Sequence, residues 1–480
     1  MNMPNLPLHV LGQDQITRLT EDEKDEIHKA SIEILERIGI QLHLQEAVDL
    51  LKKAGATLTE DNRVRLPCSL VEWALERAPK RVNLYDRNGD LVMPLEKNNC
   101  FYGPGSDCLN ILDHRMGERR KPVLKDVAEG ARLCDALPNI DFVMSMVLPS
   151  DVDQAIADTY QMEAMLLNTR KPIIMVSYQT QGLMDAVQMA EVVVGGEEPL
   201  REKPMLACYI NIISGAVHND DSLTKLLYLA EKGLPAIYIP GSTAGVTSPA
   251  TMAGTVALDN AGVLAGLVIA QLKREGTPYI WSAMDGMSLD MQTMISPYAY
   301  AERGFMRAMA QYYEIPSFSL AGASDAKCVD QQAAIEASLS ILVDTLLGGN
   351  IIHDLGYLES GLMFSLVQLV ICDEVVNWVK GFLKGIEVTE ETLALDVIEQ
   401  VGPDGGYLKT EHTYKHFREF WYPDLIERGS YAAWVKHGSK TLTERATERV
   451  ETILEEYRPQ PLPDGTISLI REITQQRAAG

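Results

Sequence analysis

The stretch NIIHDLGYLESG, residues 350–361, ends an apolar run in a cluster of groups that can do chemistry. Ile351 and Ile352 read as a strand entering a core, and His353 and Asp354 can each hold a proton or a charge. Tyr357 and Glu359 follow at once. Similar endings recur along the chain. FYGPG, with Tyr102 inside it, leads to Ser106, Asp107 and Cys108. IDFVMSM gives Ser145 and Met146, and PIIMVS gives Ser177, Tyr178 and Gln179. PMLACYIN carries Asn211 and leads to Ser214 and His218. PAIYIPG runs into a small, flexible loop of Gly241, Ser242, Thr243, Ala244 and Gly245. TPYIWSA delivers Trp281, Ser282, Met284 and Asp285, and PSFSLAGA delivers Phe318, Gly322, Ser324, Asp325 and Lys327.

Two chemistries are suggested. Aromatic residues are 6% of the chain, yet Tyr102, Tyr178, Trp281, Phe318, Tyr357 and Phe364 fall at or near these endings. Rings around a desolvated cation contribute ~0.5–2 kcal/mol each and suit a quaternary ammonium, which has no N–H to donate. At least half of these rings are expected to be core fillers. Small residues after two of the runs let a flat ligand or a partner surface come close. Other constellations read more weakly. His412 and His416 would share a helix face and could bind zinc, but the glutamate of the His-Glu-x-x-His pattern is missing. Lys327 could form a Schiff base, although Asp325 and Asp330 favour its charged form. No metal ligands are assigned.

The elements that must position these groups follow from the rhythm of the chain. Eight apolar runs begin at 101, 140, 172, 204, 235, 277, 316 and 350, with amphipathic stretches such as 151–167 and 330–347 between them. Such alternation implies parallel strands joined by helical crossovers. Eight units over ~250 residues fit a closed (β/α)8 TIM barrel, whose chemistry sits on loops at the C-terminal strand ends. A doubly wound open sheet is the alternative, but FYGPGSDC breaks the Gly-x-Gly-x-x-Gly signature.

Residues 1–100 read as an α+β cap. Thr20 and Glu23 fit a capping box, and Ile27, Ser31, Ile34 and Ile38 recur at helical spacing before Gly39. RVNLYDRNGDLVMPL reads as a hairpin, with Asn88-Gly89 supplying positive φ. Residues 101–400 are assigned to the barrel and 401–480 to a C-terminal helical extension.

The net charge of −24 argues against a nucleic-acid partner. No run approaches the ~20 apolar residues that span a bilayer, and Met1–Gly12 lacks the pattern of a signal peptide. Seven widely spaced cysteines without a Cys-x-x-Cys point to a reducing compartment, so a cytoplasmic protein is expected.

Several stretches together carry a family likeness. ILERIGIQLHLQEAVDLLKKAGA, RVRLPCSLVEWALERAPKRVNLYDRNGD, LCDALPNIDFV, GASDAKCVDQQA, GGNIIHDLGYLESGL and HFREFWYPDLIERGSYAAW span nearly the whole chain. It resembles the trimethylamine methyltransferase family. The resemblance implies a (β/α)8 barrel that moves a methyl group from an amine to the cobalt of a cognate corrinoid protein. The founding enzyme uses pyrrolysine, which this sequence lacks, so it looks like the branch associated with quaternary amines. Glycine betaine or proline betaine is favoured as substrate, ahead of carnitine or γ-butyrobetaine. The implied cofactor is a corrinoid (cobalamin) carried by the partner, with none bound permanently.

Tyr102 and His353 are carried over as substrate-binding residues, Tyr357 and Phe364 are added by proximity, and Trp281 and Phe318 come from the rim. Gly241, Ser242 and Asp325 would face the corrinoid. No residue is assigned as acid or base, because a quaternary amine already leaves as a neutral tertiary amine. The alternatives are a zinc-dependent methyltransferase or other TIM-barrel enzyme, and a non-enzymatic betaine-binding protein. A homo-oligomer is expected.

Overall fold

A computed structural model describes residues 9–10 and 16–479; most of the Met1–Gly12 stretch lies outside the described residues. Seven parallel strands form one sheet. In spatial order they are Ile173–Val176, Leu206–Ile212, Ala236–Pro240, Tyr279–Ser282, Ser317–Leu320, Ile351–His353 and Phe101–Tyr102. The run at 140 closes the ring without forming a regular ladder. The Asp141 N–H donates to the Tyr102 carbonyl at 2.6 Å, and Val143 pairs with Ile173. The result is an α/β barrel of eight β-segments with helices outside.

Side chains alternate along each strand. Phe142, Ile174, Ile237, Ile280, Phe318 and Ile351 fill the barrel together with Val82, Leu84, Met93 and Leu95. Those last four belong to the hairpin of Val82–Tyr85 and Leu91–Leu95. The Tyr85 N–H donates to the Pro204 carbonyl (2.9 Å) and the Arg87 N–H to the Arg170 carbonyl (3.0 Å), both just before barrel strands. The hairpin is therefore the floor of the barrel as well as part of the cap. Its turn differs from the expected one. Only Gly89 takes positive φ, at 85°. The Asp86 carboxylate accepts the Asn88 and Asp90 N–H groups instead, and holds a longer loop.

The helix Glu21–Glu33 carries the Thr20–Glu23 capping box. Its apolar stripe then shifts, because a π-turn over Ile34–Ile38 widens the winding, burying Leu35 and exposing Ile38. The cap is tied into the barrel: Ile40–Leu42 pairs in parallel with Val217–His218. Its three helices pack on the helix Met252–Lys273. That helix corrects one expectation, since it is long and apolar enough to cross a membrane by composition. Most of it is buried in the fold, because an outer helix roofed by the cap has no polar face to keep. At the other end of the chain, Leu442–Glu456 packs on Leu366–Leu383 and Leu124–Ala136, and Asp464–Ala479 on Ala157–Asn168 and Thr180–Val194. All seven cysteines are unpaired and four are buried.

Candidate active site

A cavity of about 440 Å³ opens at the C-terminal ends of the strands. Eight of its seventeen lining residues stand at or just after the ends of apolar runs: Ser106, Asp107, Ser177, Tyr178, Met284, His353, Asp354 and Tyr357. Tyr178 and Asn211 are exposed at its mouth.

Parity along Ile351–His353 puts Ile351 and His353 inside the barrel and Ile352 outside. The His353 ring packs on Phe318 at 4.0 Å and faces Tyr209 at 6.1 Å. Its Nδ1–H donates to the Ser319 carbonyl at 2.7 Å, which leaves Nε2 free to accept. Nε2 lies 3.3 Å from Asp354 Oδ1. Burial lowers the imidazole pKa to about 4 and pushes the Asp354 carboxyl well above the usual range. Burial therefore favours the uncharged form of each, a neutral pair rather than an ion pair. Asp354 sits at φ 77°, and Gly356 at φ 94° completes the tight turn. That turn points Tyr357 into the cavity, where its hydroxyl donates to the Ser106 carbonyl.

Across the cavity, Asp107 accepts from Ser145 Oγ (2.7 Å) and Gln161 Nε2 (3.0 Å). Burial raises its pKa despite these bonds. A third wall carries a buried lysine in an ion pair. Lys225 is buried, and its Nζ donates to the Ser177 carbonyl at 2.6 Å and pairs with Asp221 at 2.5 Å. Asn211, Asn219 and Ser222 lie on the same wall.

The structure brings His353, Tyr357 and Phe318 together but separates others from them. Tyr102 does not share the cavity. Within the two-residue strand Phe101–Tyr102 it is Phe101 that joins the barrel interior. Tyr102 points outward, its hydroxyl 2.9 Å from Thr345 Oγ1 and its ring 5.4 Å from Lys380 Nζ. Trp281 also points outward, 4.9 Å from Tyr313. Phe364 lies behind Tyr357, edge-on at 6.4 Å. Gly241 is exposed at a strand end, whereas the Ser242 hydroxyl turns inward to Asp259 at 2.5 Å. Asp325 accepts the Tyr298 and Ala299 N–H groups, at 2.9 and 3.2 Å, and so anchors the loop that brings Tyr298 to the cavity.

Lys327 lies outside the cavity lining, its Nζ 2.5 Å from the Asp325 carbonyl. The His412 and His416 rings lie 4.4 Å apart and tilted, with His416 Nδ1 bonded to Glu419 at 2.7 Å. Among the described residues, no group of three or more His, Cys, Asp or Glu is arranged to hold a metal ion. The sequence reading did not reach Tyr209, Asn219, Asp221, Lys225 or Tyr298. Tyr209 was accessible by alternation with Asn211, while the others stand on a helix and a long loop with no marker.

The family model "Trimethylamine methyltransferase (MTTB)" matches residues 3–480. The trimethylamine methyltransferase MttB of Desulfitobacterium hafniense (strain DSM 10664 / DCB-2) is 32% identical over 465 residues, covering 95% of this chain and 93% of that one. The glycine betaine methyltransferase of D. hafniense (strain Y51) is 32% identical over 450 residues, covering 92% and 93%. Among solved structures, the Methanosarcina barkeri monomethylamine methyltransferase has the same fold, with a TM-score of 0.52 over 94% of this chain and 90% of that one at 12% identity. With its barrel, its rim cavity and a match over almost its full length, the chain belongs to the trimethylamine methyltransferase (MTTB) family.

Proposed function

We propose that this methyltransferase takes a methyl group from a quaternary amine that also bears a carboxylate, with glycine betaine or proline betaine favoured, and passes it to the Co(I) of a cognate corrinoid protein. One observation carries the reading: a single cavity pairs a wall of rings and carboxyls with a buried lysine. Tyr178, Tyr209, Tyr298 and Tyr357 offer rings to a trimethylammonium group. Asp107 and Asp354 stand among them, held toward the neutral form by burial. A fixed cation beside them favours the carboxylate form. Lys225 has three N–H donors and two acceptors in the protein, so one donor is available for a substrate carboxylate.

In the transfer, the N–CH3 bond breaks as a carbon–cobalt bond forms, and the bonding pair stays on nitrogen. The product amine leaves neutral, and no proton has to move. His353 and Tyr357 are assigned to orient the substrate, and the tyrosine rings to hold the methyl in line with the mouth. The corrinoid partner, the co-substrate, is placed over that mouth. There Gly241 is exposed, and Thr243–Ala244 pairs with Met287–Ser288 beside the exposed Met291 and Met294. Seven unpaired cysteines support a reducing compartment, the cytoplasm, which a Co(I) acceptor also needs.

The relative named for glycine betaine supports this reading, but the one named for trimethylamine is equally similar. Lys225 separates the two, because trimethylamine has no carboxylate to bring to it. The test mixes the enzyme with a Co(I) corrinoid protein and each betaine, or trimethylamine, and follows the cobalt spectrum. Methyl-cobalt should form with a betaine; none from any quaternary amine would reject the reading. Lys225→Met should lower kcat/KM for betaines about 10- to 100-fold, the worth of one charge-assisted hydrogen bond. Transfer from tetramethylammonium, which has no carboxylate, should be unchanged.

A further inference from the structure

Residues 381–440 form a strap on the outside of the helix layer that has almost no interior. Only Ala394 and Pro423 in it are buried. It contains five short helical segments, Glu390–Leu393, Leu395–Val401, Tyr407–Lys409, Glu411–His416 and Tyr431–Lys436, and none includes a buried residue. Helices this short do not hold together in water on their own propensity. Ordering such a segment costs ~1–2 kcal/mol per residue of backbone entropy, which burial has to offset.

Its exposed surface is unlike the rest of the molecule. Nine aromatic side chains are exposed among the described residues, and eight of them lie between Trp378 and Tyr431. The ninth is Tyr178, at the cavity mouth. Phe420 is 79% exposed, Tyr414 81% and Tyr422 75%, and Ile386 and Leu408 join them at 89% and 88%. The strap is not loose. Trp421 stacks on Trp378 at 5.3 Å, and the Arg428 guanidinium lies over the Trp421 ring at 4.7 Å. The Glu374 carboxylate accepts the Asp424, Leu425 and Ile426 N–H groups. One side is thus pinned to the helix Leu366–Leu383, and the other presents rings to solvent.

We infer that this strap, with the end of the helix that precedes it, is the interface between two copies of the chain. The area argues for it. Eight aromatic side chains with ~100 Å² each to bury amount to roughly 800 Å², the share of each partner in a stable interface. Permanence argues for it too. A strap pinned on one side only leaves its outer rings in water unless a partner is always present, and the partner always present is the chain itself. A two-fold pairing sets the same patch against itself. The corrinoid protein fits less well here. It has to reach the cavity, and no strap residue lines that cavity. The strap also leaves the far end of an 18-residue helix, ~27 Å from the rim loop that precedes it. The inference stands independently of the substrate reading.

The test uses the full chain. Sedimentation velocity at micromolar concentration should give about twice the 53.2 kDa of one chain. Carrying Ile386→Asp, Tyr414→Asp and Phe420→Asp together should return it to a single chain, since these side chains touch solvent in the monomer. Should that variant fail to fold, hydrogen exchange on the wild type decides. Amides of 386–436 should be protected at high concentration and lose protection on dilution. A wild type that runs as one chain overturns the inference, and so does a folded charged variant that stays dimeric. Protection of the strap that appears only on adding the corrinoid protein assigns the surface to that partner, and equally overturns it.

Discussion

Gly105 stands where no side chain fits. A Cβ there would overlap the Asp354 carboxyl and the Tyr357 hydroxyl, and neither can retreat easily. Tyr357 is bonded to the Ser106 carbonyl next door, and Asp354 is held against His353. Gly105→Ala should cost ~1–3 kcal/mol of stability by overpacking. It should cost far more in rate, about 100-fold, because displacing an orienting group by an ångström does that. Urea unfolding beside a methyl-transfer assay separates the two effects; a native rate would mean that Asp354 and Tyr357 do not touch the substrate. The same scale shows what a sequence can reveal. Residues that directly follow an apolar run, such as Ser106, Asp107, Ser177 and His353, were legible because the barrel puts strand ends at its site. Tyr102 was misplaced by the parity of a two-residue strand, which offers no internal reference for which side faces in. Lys225 reaches the cavity from a helix and Tyr298 from a long loop, and neither position carries a local signal.

At the scale of elements, two buried acids hold the loops that shape the rim. Asp259, on the long helix, bonds Ser242 at the end of its strand. Asp285 accepts the Gly304 and Met306 N–H groups at 2.5 and 2.8 Å, which fixes the loop bearing Tyr298. Burial raises both carboxyls to about 7. With the folded pKa above the unfolded 3.8, their contribution to stability is full below that value and declines as pH rises. It is lost once pH passes about 7. The rise in Asp259 corresponds to about 4 kcal/mol at most. Between about pH 6 and pH 8, exchange of amides in 242–250 and 285–304, corrected for intrinsic rates, should therefore increase. Asp259→Asn cannot ionise and should flatten that rise around Ser242. An unchanged pH profile in the variant would remove Asp259 from the account. The hairpin shows a complementary limit of sequence reading. Its strands were legible from alternation, but its place as the barrel floor was not, because that depends on backbone bonds to Pro204 and Arg170 more than 80 positions away.

For the whole molecule, a division into cap, barrel and tail describes the order of the chain better than the way it is packed. A fragment of residues 101–400 would lose Val82, Leu84, Met93 and Leu95 from the barrel interior. It would also uncover the apolar helix Met252–Lys273, which the cap helices roof. Ala446, Val450 and Ile453 would be missing from the outer layer, as would Ile470 and Ile473. A barrel lacking its floor and part of its cover exposes contiguous apolar surface, which associates in water. The fragment should thus be insoluble or molten when made alone. The full chain should unfold as one unit. Two tryptophans can report on this: Trp73 in the cap and Trp281 between barrel and helices. In variants that keep one of them, with the other tryptophans replaced by phenylalanine, the two urea midpoints should coincide. The comparison is made within each variant against its circular dichroism, so that a general loss of stability cancels. A Trp73 transition separated from that of the backbone signal would show the cap folding by itself, and the barrel would then have to hold its interior without the hairpin.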